Sequence, residues 1–332
     1  FILHSKTPPN TVAFRKILVK ELSPQPESIQ RPRPNDAQSQ PLTEVRRFKG
    51  HTDNIDVVAF SPDGKFIISG GGEKLLYQWD YVSGTIVRKI SVGDYPRGLA
   101  VLPDGRHVIT SHFRGDITMW SLANGRAVKE FVGHTKSVQS IRVSLDGKRL
   151  LSAGYDGLVR LWDVETGQPI HSFSENYCAA ATMSDDGRFV AHGATDSGFR
   201  IWETEAGQTL HQIKRETEAM TALAFSPSGE YVVSGDGDGV IQVWVVKTGK
   251  ELYRFDGHRA KVSSLVFTHD GRHFISGGLD RTMRVFDMSR GMEVGKVESK
   301  TLCVSHLAIS PDGRTIVSGG GMHPKEIDGV WQ

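Results

Sequence analysis

Two marks recur along this chain at one period, and together they leave little choice of architecture. A short turn ending in glycine, SPDG at its plainest, closes at Gly64, Gly105, Gly147, Gly187, Gly229, Gly271 and Gly313, at spacings of 41, 42, 40, 42, 42 and 42 residues. An aromatic residue keeps step with it at Trp79, Trp120, Trp162, Trp202, Trp244 and Phe286, spaced 41, 42, 40, 42 and 42. A period of this size marks one supersecondary unit that cannot bury its own apolar faces and must stack on its neighbours. Each unit reads as four short strands, which in the third unit are expected at Val138–Val143, Arg149–Ala153, Leu158–Asp163 and Pro169–Phe173. A DG turn joins the first two strands, a hairpin signal, and Tyr155-Asp156-Gly157 joins the next two. Val, Ile, Leu and Phe fill the strands, as a sheet covered on both faces requires. Stacking such sheets around a ring buries both faces and protects the edges.

Four strands per period and a terminal Trp-Asp resemble the WD40 repeat family, and the resemblance runs over residues 43–332. The third unit carries it most fully, with Gly133-His134, Ser152, Asp156 and Trp162-Asp163. The first has His51, Ser69, Glu73 and Trp79-Asp80, and the sixth has His258, Ser276, Asp280 and Phe286-Asp287. The resemblance implies a hydrogen-bonded chain within a blade. The buried indole N–H finds the hydroxyl, and the histidine bridges that hydroxyl to the turn acid. Other units depart from the pattern: Glu216 replaces the histidine in the fifth, Arg114 the acid in the second, His192 the serine in the fourth, and Phe286 has no N–H. Residues 44–49 match the outer strands that precede the other Gly-His loops. The fold expected is therefore all-β: a seven-bladed WD40 β-propeller with four antiparallel strands per blade, closed by the N-terminal strand 44–49 pairing with the last blade.

The ends read differently. In the seventh unit Gly319–Ile327 intervenes before Asp328-Gly329. Either Asp328-Gly329 is the turn after an insertion and the chain stops inside a third strand, or Trp331 is the strand-end tryptophan. Residues 23–42, rich in Pro, Gln and Ser, read as a linker. Residues 1–22 read as remnant strands of a preceding β-sandwich. Thr11–Leu22 resembles the closing strand of a concanavalin-like domain of the 3-keto-disaccharide hydrolase type. That resemblance implies a larger, multidomain, bacterial protein with a sugar-related domain ahead of a propeller at 43–332, whose last blade is cut short.

Charge and motifs narrow the function. Residues 1–42 hold six Lys and Arg against three Asp and Glu, and the rest holds 34 against 35, so the repeat body is near neutral. Phosphate-backbone binding needs a clustered basic surface, so nucleic acid is not expected as a ligand. No run of 18 apolar residues marks a membrane span, and no signal peptide is visible in a chain that begins at Phe1. Cys178 and Cys303 are expected as buried free thiols, compatible with a cytoplasmic setting. His51, His134 and His258 share one register in three units and each serves its own blade more readily than a common ion. Asp236-Gly237-Asp238-Gly239 reads as a tight turn and lacks the terminal glutamate of a calcium loop. HExxH, CxxC and GxSxG spacings are missing, so no catalytic, metal or cofactor site is expected.

What remains is surface. Asp94-Tyr95-Pro96-Arg97 and His112-Phe113-Arg114 break the pattern in the second unit, Asn176-Tyr177 in the fourth, and Met322–Glu326 in the seventh. Aromatic residues and arginine favour interface centres, so Tyr95, Arg97, Phe113, Arg114, Tyr177, His323 and Lys325 are the candidates for a partner face. Neutral loop drift is the plainer explanation for any single one. The function expected is a non-catalytic, monomeric scaffold for other proteins. The alternative is a propeller enzyme or carbohydrate-acting protein that uses its central channel.

Overall fold

The computed structural model describes residues 16–21, 43–174, 180–194, 198–214, 220–298 and 303–320. Antiparallel strands in four-stranded sheets make up the described architecture. The third unit shows how sequence becomes blade. Its strands are Val138–Val143, Arg149–Gly154, Leu158–Asp163 and Pro169–Ser174, two of them ending one residue later than expected. The Ser144 hydroxyl donates to Asp146 at 2.6 Å, and Gly147 turns the chain at a φ of 72°, a left-handed conformation that other residues rarely adopt. After the Trp-Asp pair, the Asp163 carboxylate accepts the Thr166 N–H at 2.6 Å and closes the next turn. The aspartate of the Trp-Asp pair is thus a turn-former.

Six blades are built this way, each from one contiguous stretch. They start at Ile55, Pro96, Val138, Ala181, Met220 and Val262. The expectation of seven blades, closed by 44–49 pairing with the last unit, is corrected at this point. Where a further blade was expected there is a composite sheet, ordered Thr43–Lys49, Lys16–Glu21, Thr315–Gly319, His306–Ile309. Among the described residues the last unit supplies two strands. The ladder beside Thr315–Gly319 is occupied by Lys16–Glu21, so Thr43–Lys49 pairs with that strand and not with the last unit. An open ladder there would leave a row of backbone N–H and C=O groups without partners. Residues 16–21, read from sequence as part of a preceding sandwich, thus lie inside the ring. Asp328, Trp331 and the insertion lie outside the described residues.

The register shows how well this strand fits. Thr315 faces Glu21 and Ile316 faces Lys20, as Arg149 faces Asp163 and Leu150 faces Trp162 in the third blade. The bulge between Val19 and Lys20 falls where others fall, between Leu161 and Trp162 and between Gln78 and Trp79. Lys20-Glu21 hold the Trp-Asp places.

Neighbouring sheets interlock through their aromatic residues. Phe131, on the outer side of the second blade, meets Trp162 of the third edge-on at 6.0 Å, and Phe255 meets Phe286 of the sixth at 4.7 Å. Phe48 of the composite sheet meets Trp79 of the first blade at 5.6 Å in the same way. Inner strands touch round the whole circle, with His306–Ile309 between Val262–Phe267 and Ile55–Phe60. Phe48 is buried where the composite sheet meets the first blade. Replacing it with alanine is expected to cost about 3–5 kcal/mol, read as a lower urea midpoint, and an unchanged midpoint would contradict the interlock.

Candidate protein-binding face

The loops of one face are fixed from below by a chain of polar groups. In the third blade the Trp162 indole donates to Ser152 Oγ at 2.8 Å, Ser152 Oγ lies 2.7 Å from His134 Nε2, and His134 Nδ1 lies 2.9 Å from Asp156. The first blade repeats this with Trp79, Ser69, His51 and Glu73 at 2.8, 2.7 and 2.5 Å. In the sixth, His258 bridges Ser276 at 2.6 Å and Asp280 at 3.0 Å. There Phe286 stacks on Phe274 at 4.7 Å. One proton placement satisfies each complete chain: the hydroxyl donates to Nε2 of a neutral histidine, which donates from Nδ1 to the carboxylate. Burial pulls the His134 and His258 pKa values down, against the pull of Asp156 and Asp280, and favours that neutral form. Burial also opposes ionisation of Glu73 and Asp280, but hydrogen bonds from His51 and Thr52, and from Arg259, His258 and Thr282, outweigh it and hold both near 2. The acids also accept loop N–H groups, Thr135 at 3.1 Å and Arg259 at 3.0 Å, and so tie the entering loop to the turn. Each chain serves its own blade, and the three do not converge.

Two irregular blades, the second and the fifth, compensate through one position, two residues after the hydroxyl that accepts the indole N–H. A Cβ on Gly154 would come within 2.8 Å of His134 Nδ1, and one on Gly278 within 2.5 Å of His258 Nδ1, so a loop histidine demands glycine there. In the second blade Val92 stands in the histidine register, and that position is His112. His112 Nε2 lies 2.9 Å from Thr110 Oγ1, which accepts the Trp120 indole N–H at 2.8 Å. The acid changes sides as well: Asp94, on the loop, accepts the Arg114 N–H at 2.9 Å. In the fifth blade the same position is Asp236, fully buried, accepting the N–H groups of Asp238 at 3.1 Å and Val240 at 2.9 Å. In the fourth, the Trp202 indole donates to His192 Nε2 at 2.5 Å, so an imidazole replaces the hydroxyl. Sequence reading marked His112 as a departure from the repeat and Asp236 as a turn residue, but gave neither a part in the polar network. The available signal was a side chain in place of glycine in units without a Gly-His loop.

Four of the candidate face residues come together on this scaffold. The Phe113 N–H donates to the Tyr95 carbonyl at 3.0 Å, joining the loop entering the second blade to its next turn. Tyr95 is 40% exposed and Phe113 52%. Lys74 Nζ lies 4.5 Å above the Tyr95 ring, and the Arg97 guanidinium 5.6 Å above that of Phe113. Arg97 also lies 3.7 Å from Asp56 of the first blade. Arg114 is exposed beside Phe113. Tyr177, His323 and Lys325 lie outside the described residues. Cys303, expected to be buried, is half-buried, with its thiol 3.4 Å from the Leu279 carbonyl. No helix among the described residues is long and apolar enough to cross a membrane, which says nothing of strands crossing as a barrel.

Comparison with known proteins fits this geometry. Residues 42–80, 125–163, 207–245 and 249–287 match the WD domain, G-beta repeat model. Four of its units are WD40 repeats. Each matched stretch opens on the outer strand of one sheet and ends at the Trp-Asp place of the next blade, so the WD40 repeat straddles the interlock. The first three strands of the second and fourth blades, where His112 and His192 replace the usual groups, lie outside the matched stretches. Among curated relatives, a ribosome biogenesis protein BOP1 homolog from Drosophila grimshawi is 33% identical over 75 residues, 23% of this chain and 10% of that protein. The human WD repeat-containing protein 36 is 35% identical over 78 residues, 23% of this chain and 9% of that protein. The chain thus spans about a tenth of the length of these relatives. Both are animal proteins and lend no support to the expected bacterial source.

The fourth blade carries a pH dependence. Burial drives the His192 pKa down to about 4, against the Gly193 carbonyl. The depressed value means that the unfolded chain binds this proton first as pH falls. The stabilisation is complete above about 6.5 and lost between there and about 4, some 3 kcal/mol at most. A His192→Ser variant, which keeps an acceptor for Trp202, is expected to flatten the fall of the urea midpoint across that window. A fall as steep as in the wild type would refute the assignment.

Proposed function

We propose that the chain is a non-catalytic interaction scaffold that holds another protein on the face carrying Tyr95 and Phe113. The observation that carries this reading is the bond from the Phe113 N–H to the Tyr95 carbonyl, which joins two loops that each bear an exposed aromatic ring. Scattered exposed apolar residues need no explanation, but two large exposed aromatic residues on loops joined by a backbone hydrogen bond have the make-up of an interface centre. WD40 domains typically bind other proteins, and function in such a fold resides in its loops. Ribosome biogenesis appears in the name of a relative, yet the shared stretch is 75 residues of repeat, and it suggests a binding module more than a particular pathway. We further propose that 23–42 is a linker and that the ring is one module of a longer protein.

The test is affinity capture with the full chain beside a Tyr95→Ala/Phe113→Ala variant, each checked for fold by circular dichroism. Hot-spot aromatics cost about 2 kcal/mol or more apiece, so the variant is expected to bind its stoichiometric protein partner at least about thirty-fold more weakly. Equal retention by both would remove the site, and capture of no protein by the folded wild type would remove the scaffold reading.

A further inference from the structure

We infer that the segment docked on this face is an acidic peptide, with carboxylate or phosphate groups flanking an apolar residue. The inference rests on the scaffold reading and adds the chemistry of the partner. Cations surround the two rings. Lys74 lies over Tyr95 and Arg97 over Phe113. Arg114 and Lys136 are both exposed, and their segments adjoin: a Cβ on Gly115 would meet the Lys136 carbonyl at 2.8 Å. Among the described residues, Lys74, Arg114 and Lys136 have no carboxylate within ion-pair distance, and Arg97 reaches Asp56 only at 3.7 Å.

The acids of the same region are largely spent inward. Asp94 is buried and accepts the Arg114 N–H, and Glu73 is committed to His51 and to Thr52. Asp53 accepts the N–H of Asn54 at 2.7 Å. Asp116 is the exposed acid on the turn itself. The face therefore offers outward cations around two apolar rings. Two of those cations are held over ring faces, which lowers the entropy lost when they meet an anion. Complementary charge of this kind speeds encounter and selects partners. A nucleic-acid backbone fits less well, since it asks for a continuous basic track, whereas here Asp56 and Asp116 interrupt the cations and residues 43–332 carry 34 Lys and Arg against 35 Asp and Glu.

The test uses fluorescence anisotropy with the full chain. The probes are a short labelled peptide of glutamates around one leucine, its phosphoserine and lysine counterparts, and a single-stranded oligouridylate. The glutamate or phosphoserine peptide should bind with an affinity that falls as salt rises. Binding should weaken at least about ten-fold on Arg114→Glu/Lys136→Glu, a variant whose circular dichroism is unchanged. The tighter of the two acidic probes identifies the source of the anion. The inference is overturned if neither acidic peptide binds, if the lysine peptide binds as well, if charge reversal changes nothing, or if the oligouridylate binds more tightly. A captured partner that depends on Tyr95 and Phe113 but ignores the charge reversal would leave the scaffold reading standing and remove this one. No dependence on those two rings would remove both.

Discussion

Burial of both faces of every sheet is the constraint from which the rest follows. The apolar clusters lie between sheets, not within them. One joins Ile109 and Ile117 of the second blade to Leu150 and Trp162 of the third. Two flank the composite sheet: Val317 packs with Ile67 and Trp79 of the first blade, and Ile316 with Ile275 and Met283 of the sixth. A ring that failed to close would expose both walls of the gap to water. Closure rests on backbone pairing, because Lys16–Glu21 lies between Thr43–Lys49 and Thr315–Gly319 and satisfies both ladders. The interior strand of that sheet comes from far away in the chain, so its loop-closure entropy opposes closure, and the burial of Phe48, Ile316 and Val317 offsets it.

The polar chains act on a smaller scale. They do not hold the ring together, since the sixth blade buries Phe286 completely with no indole N–H to bond. They fix the height and direction of the loops on one face by tying each entering loop to its neighbouring turn through a buried acid. Where the chain is rewritten, as with His112 and Asp94, the connection survives with its donors and acceptors exchanged. The rewritten blade is the one that presents Tyr95 and Phe113. An unusual support beneath an unusual surface is what a fold specialised at that blade would show.

Much of this was legible in the sequence, and the parts that were not share a cause. The turn glycines and strand-end aromatics repeat because every blade needs the same hairpin and the same inter-sheet filler, so periodicity revealed them. The strand Lys16–Glu21 carries no such mark. Lys20 stands in the tryptophan register, and the alternation of Lys-Ile-Leu-Val-Lys-Glu suits a sandwich strand as well as a blade. Pairing between segments so far apart leaves no trace in spacing. Tyr95 and Phe113 were visible as departures from the repeat. His112 and Asp236 were seen as a departure and a turn residue, but their role stayed hidden because it depends on the missing loop histidine, a coupling between two positions that a scan of either one alone does not reveal.

The most direct test of this account is native-state hydrogen exchange on the full chain, followed at the amides of Leu18, Val19 and Lys20. An interior strand of a closing sheet should exchange as slowly as the second strand of the third blade, Arg149–Gly154, and should open only with the ring. Exchange at the rate of an unpaired segment, with Arg149–Gly154 still protected, would show that the ring closes without Lys16–Glu21 and would contradict the account.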